Sequence, residues 1–120
     1  QLVKRLTTNK QLPILVTLGF LVLKIAMSII FPSVLNGSVR HVVNLFLLSG
    51  LIYILKEQEK LSKYFIWMFI SYLIAVVFRT LDNAVCTYFP IGTHFLWHIL
   101  TASVVYFAFR SLVSIDRKVP

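Results

Sequence analysis

The sequence predicts an all-α protein, a polytopic transmembrane helix bundle with four spans, on three observations. Of its 120 residues 58% are hydrophobic and only 13% are charged, about half the charged share of a soluble globular domain. The apolar residues gather into four runs, Leu12–Phe31, His41–Leu55, Tyr64–Phe78 and His94–Phe109, parted by short polar pieces. The charges lie almost entirely in those pieces, and they are dense in every second one.

A helix that crosses the hydrocarbon core needs roughly 20 mainly apolar residues, with about 17 to 25 tolerated. The first run meets this outright and gives a span over about 12–31. Lys24 lies inside it, more than one turn from the end. Its long stem can snorkel toward the headgroups or turn inward, and snorkelling is the preferred reading. "FPSVLNGS" follows, with a proline and an Asn-Gly pair that end the helix. The second run is short by strict count and takes flanking polar residues to complete a span over about 39–56. "KEQEKLSK" reads as a charged turn before the third span.

The third span is expected over about 64–86, because nothing in "FRTLDNAVCTYF" breaks a helix before Pro90. In that helix Arg79, Asp82 and Cys86 share a face. The plain reading of Arg79 and Asp82 is an ion pair near a helix end, worth little. Pro90 and Gly92 then break the chain ahead of a fourth span over about 92–112. Short connections make sequential neighbours antiparallel. Residues 1–120 read as a single transmembrane domain without internal repeat or low-complexity tract. The spans leave no room for a soluble domain, and helices satisfy their own backbone hydrogen bonds in lipid.

The net charge of +8 would suit nucleic acid, but its placement argues for a bilayer instead. Lys4, Arg5 and Lys10 precede the first span, Lys56, Lys60 and Lys63 lie between the second and third, and Arg117 and Lys118 follow the fourth. The other two connections hold only Arg40, and Arg79 beside Asp82. This alternation is the positive-inside pattern and predicts an integral, multi-pass protein with both termini of the segment cytoplasmic. Nucleic acid is not an expected partner.

The single cysteine, Cys86, excludes an internal disulfide. "QLVKRLTTNK" and the run behind it resemble a signal peptide only superficially, since the run is too long for an h-region and lacks a small-residue cleavage site. The chain begins with Gln1, and a processed, truncated or partial sequence is expected.

By the charge rule His41, Asp82, Cys86, His94 and His98 all belong to the non-cytoplasmic half of the membrane. Asn44 follows His41 on one helical face, and Thr101 follows His98. Ionisable residues within a membrane are functional candidates by default, and all three histidines could converge with Asp82 on one layer. His94 and His98 stand at i and i+4, so both imidazoles project from one face and can bind one ion. Zinc suits imidazole, and a catalytic zinc takes three protein ligands and a water. A third ligand must come from elsewhere: His41 is the remaining histidine, and Asp82 or Cys86 could serve chemically. The glutamate of H-E-x-x-H is missing, and H-x-x-x-H alone is a weak signal.

The flanking residues sharpen this. "TLDNAVC", followed after a loop by "GTHFLWHILTA", resembles the end of the alkaline ceramidase family, seven-helix intramembrane zinc hydrolases. In that family the sixth helix ends in an Asp-Asn or Asp-Arg pair with a cysteine three residues later. The seventh begins with His-x-x-x-His and carries a tryptophan just before the second histidine. Here these are Asp82-Asn83, Cys86, His94, Trp97 and His98. More weakly, the resemblance covers the whole chain, its spans matching the family's fourth to seventh helices, with His41 where a histidine often opens the fifth.

The resemblance implies that His94 and His98 are two of three histidines holding Zn2+, which activates a water to cleave the amide of ceramide to sphingoid base and fatty acid. Zinc lowers the pKa of bound water toward neutrality and polarises the carbonyl. It also implies a role in sphingolipid metabolism and, in a eukaryote, an endoplasmic reticulum or Golgi membrane. Asp82 is then expected to orient a ligating histidine by accepting its second N–H, and His41 is a minor candidate for third ligand.

One departure matters. The family's third zinc histidine and its neighbouring serine lie on the second helix, and a catalytic aspartate on the third. No Ser-x-x-x-His or acidic calcium-binding segment precedes the first span here. The chain is therefore expected to be the C-terminal part of a longer enzyme, partnered by N-terminal helices of the same protein, or a degenerate chain. No catalytic residue is identified within it, and alone it is expected to be inactive.

Two other classes compete. A small membrane cytochrome would use His41 and either His94 or His98 as axial haem ligands from opposite sides. A non-catalytic membrane scaffold would use the histidines only for hydrogen bonds between helices.

Overall fold

The computed structural model describes residues 11–116. The basic flanks Lys4, Arg5, Lys10, Arg117 and Lys118 lie outside them. The described chain is all-helical, with α1 (Gln11–Ile30), α2 (Val39–Ile54), α3 (Glu59–Cys86) and α4 (His94–Asp116) in order. Each helix packs chiefly on its neighbour in the chain, and the α3–α4 contact is the most extensive. The result is flattened, 54 × 30 × 17 Å.

The element boundaries follow local chemistry. α1 ends where "FPSVLNGS" takes three successive residues into the left-handed region, Leu35, Asn36 and Gly37, with φ of 52°, 56° and 70°. The turn is closed by the Gly37 N–H on the Val34 carbonyl and the Ser38 N–H on the Leu35 carbonyl. α3 starts earlier than the apolar run indicates, at Glu59, so that most of "KEQEKLSK" is helical rather than turn. Glu59 sits in the first turn, where negative charge suits the helix dipole. Its carboxylate accepts a hydrogen bond from Lys63 Nζ at 2.7 Å, in the favoured Glu-before-Lys order. At its other end α3 runs on through the expected extension to Cys86.

The core is narrow. Leu61, Met68 and Ala75 recur at heptad spacing on α3 and are buried with Tyr72 and Val76. Small residues join them, Ser62 and Ser71 on α3 and Ser111 and Ser114 on α4. Such residues let two helix backbones approach closely. Trp67 stacks on Phe107 at 6.2 Å between ring centroids, across the same pair.

Two helices, Glu59–Cys86 and His94–Ile115, are long and apolar enough to cross a membrane. Ile14–Ile30 and Val39–Ile54 are apolar but shorter. The 16 residues of α2 extend about 24 Å at 1.5 Å per residue, short of the roughly 30 Å hydrocarbon core. The structure thus supports two spans by length and composition where the sequence predicted four.

Candidate functional site

The polar residues singled out in the sequence fall into two adjoining groups. The first is assembled at the junction of α3 and α4. Asp82, one turn from the end of α3, turns its carboxylate toward the start of α4. The backbone N–H of Thr93 donates to Asp82 Oδ1 at 2.7 Å, and the Thr93 hydroxyl lies 3.3 Å from the same oxygen. That hydroxyl also donates to the Phe78 carbonyl at 2.7 Å. A carboxylate at a helix N-terminus satisfies an orphan donor and meets the positive end of the dipole.

The other carboxylate oxygen, Oδ2, is 3.7 Å from His94 Nδ1. This is contact between charge-bearing groups but longer than a hydrogen bond. Asp82 is largely shielded, its side chain 15% exposed, whereas that of His94 is 51% exposed. His98 is exposed as well, and its ring meets that of His94 edge-on at 4.8 Å between centroids. Nδ1 of His94 is the ring nitrogen that faces the carboxylate. The Cys86 thiol, exposed and free, is 3.8 Å from Asp82 Oδ1.

A glycine makes the junction possible. Gly92 has φ of 62°, and a Cβ there would stand 2.5 Å from Cys86 Sγ and 2.6 Å from Asp82 Oδ1. Only a residue without a side chain allows the connection to close on the carboxylate in that conformation.

The second group lies between α2, α3 and α4. His41 Nδ1 and the Tyr72 hydroxyl are hydrogen-bonded at 2.8 Å, and the Asn44 amide donates to the same hydroxyl. The His41 ring meets Trp97 edge-on at 4.8 Å between centroids. Arg79 stacks over the other partner of this contact, its guanidinium carbon 5.2 Å from the Trp97 centroid. His41 Nε2 and Arg79 Nε are both buried without a hydrogen-bond partner.

Several expectations are corrected here. Arg79 does not pair with Asp82. Its cation rests on Trp97, and its carbonyl accepts the Asn36 amide at 3.0 Å. The three histidines do not converge. Trp97 and Tyr72 engage His41, while His94 and His98 meet each other. Among the described residues no three His, Cys, Asp or Glu side chains are grouped to hold a metal. Lys24 lies over the Phe20 ring, 5.7 Å from its centroid.

Three residues that organise these groups were not singled out in the sequence. Thr93 precedes the first residue of α4 and could have been found as an N-cap type at a helix start. Tyr72 is 31 residues from His41, and a tyrosine in an apolar run gives no local sign of such a partner. Asn36, in the α1–α2 turn, accepts a hydrogen bond from Asn83 at 3.0 Å as well as donating to Arg79. It ties that turn to the end of α3.

No protein-family model matches the chain, and no curated protein or solved structure matches it. What the fold and the junction define is an all-helical described chain with two histidines and a carboxylate gathered where α3 meets α4.

Proposed function

We propose that this is a multi-pass membrane protein whose non-cytoplasmic end supplies part of the zinc site of a ceramidase-like amide hydrolase. The membrane reading draws support from exposure. The span-length windows of α3 and α4 are only 33% and 11% buried, whereas the core helix of a soluble protein would be mostly buried. On α1, large apolar side chains such as Val22, Ile25 and Ile29 are 59–73% exposed. So continuous an apolar surface fits lipid or further transmembrane helices. All four helices would then cross or enter the bilayer, with the ends at Lys56, Lys60 and Lys63 cytoplasmic.

The observation that carries the hydrolase reading is the Asp82–His94–His98 junction. Two imidazoles share one face, and a shielded carboxylate stands behind the first. This donor set suits zinc as two ligands and an orienting acid. His94 and His98 would hold the ion, and the third ligand would come from outside the described residues. Zinc at such a site supplies a water of lowered pKa and polarises the amide carbonyl. Asp82 holds the start of α4 through the Thr93 N–H and sets its second oxygen beside the His94 ring. An apolar groove lined by Val42, Leu45, Phe46 and Phe69 lies between α2 and α3 and offers a place for an acyl chain.

The test is ceramide hydrolysis and zinc content of the protein expressed from its whole reading frame in its own membrane. His94→Ala and His98→Ala abolish both, while His41→Ala leaves most of each. Undiminished hydrolysis by the His98 variant would end the proposal.

A further inference from the structure

At the opposite, base-rich end, the first turns of α3 and the last turns of α4 enclose a cleft. It is lined by Lys60, Tyr64, Arg110, Val113 and Ser114 and opens to the surface. Lys60 and Tyr64 are one turn apart on α3, as are Arg110 and Ser114 on α4, so each helix presents one cation and one hydroxyl.

The described lining of this cleft carries two cations and no acid. The nearby acid Glu59 is taken by Lys63 at 2.7 Å. Lys56 is placed over the Tyr53 ring, 5.1 Å from its centroid. Lys60 and Arg110 have no ion-pair partner among the described residues. Lys60 also sits in the first turn of a helix, where the dipole already favours an anion. Ser114 adds an independent sign. The residue is 8% exposed and borders the cleft, so its hydroxyl is held in place beside the two cations.

We propose that this cleft binds a phosphate group, held between Lys60 and Arg110 with Tyr64 and Ser114 as hydroxyl donors. The phosphate is that of an anionic phospholipid headgroup. The Arg110 guanidinium suits two phosphate oxygens at once, and Lys60 acts as a point charge. The site is separate from the histidine pair, so it stands or falls without the zinc reading.

The experiment titrates the full chain, purified in neutral detergent and freed of lipid, with short-chain phosphatidic acid and separately with inorganic phosphate, followed by calorimetry. The expected result is saturable binding of phosphatidic acid, with inorganic phosphate competing only weakly. Equal binding of inorganic phosphate would keep the phosphate site and overturn the lipid as its source. The double variant Lys60→Gln/Arg110→Gln, which retains the apolar stems, should bind roughly 30-fold more weakly, while Lys56→Gln outside the cleft should lose less than about fivefold. Ser114→Ala should weaken binding by several-fold and leave the helical circular dichroism unchanged. Absence of saturable binding, or a Lys56→Gln loss as large as that of the double variant, would refute the site.

Discussion

His41 and His94 lie at the same end of their helices but hold their imidazoles in different ways. His41 is bonded through Nδ1 to the Tyr72 hydroxyl and wedged edge-on against Trp97. His94 is half-exposed, with a carboxylate oxygen 3.7 Å from Nδ1 and a second imidazole at its edge. The first is built as polar glue between helices. The second leaves a nitrogen lone pair open beside another, which is what a ligand set requires. A place in the first turn of a helix does not make two histidines equivalent; the partners of their ring nitrogens do.

The comparison can be broken most forcefully at the junction. Gly92→Val imposes both a strained φ and overlap with Asp82 and Cys86. It should cost about 3 kcal/mol or more of stability in thermal unfolding in detergent, and it should separate His94 from the carboxylate. Asp82→Ala leaves the Thr93 N–H without its acceptor and removes the charge at the start of α4. About 2 kcal/mol is expected for loss of hydrogen bonds to a charged group, together with a changed His94 ring signal in NMR and an unaltered His41 signal.

The His41 group is sharpened by a milder change. Tyr72→Phe deletes the hydroxyl shared by His41 and Asn44 and should destabilise by about 1 to 2 kcal/mol. It should leave metal binding at His94 and His98 intact, since the two groups share no hydrogen bond. The smallest effect is expected outside both groups. Leu35 adopts φ of 52° without being glycine, and Leu35→Gly should be neutral or stabilising by up to about 1 kcal/mol, because the left-handed conformation costs a β-carbon about that much.

Much of the fold was legible because hydrophobic runs and turn residues are local signals. The four helices, the proline and Asn-Gly stop after α1, and the extension of α3 to Cys86 were all readable. The start of α3 was not, since "EKLSK" is polar by count but held in helix by the Glu59–Lys63 pair. The Asp82–His94 approach could be anticipated from spacing along two adjacent helices. The separation of His41 from the pair could not, because it depends on Tyr72 and Trp97, aromatic residues whose packing direction has no signature in sequence. Arg79 misled for the same reason: sharing a helical face with Asp82 allowed an ion pair, but the Trp97 ring captured the cation instead.

The central claim, that His94 and His98 form the ligand pair and His41 does not, is tested most directly by zinc titration of imidazole-labelled protein followed by NMR. The account predicts that the His94 and His98 ring signals shift together and saturate together while those of His41 stay fixed. A shift of His41 in step with either of them, or of His41 alone, would contradict it.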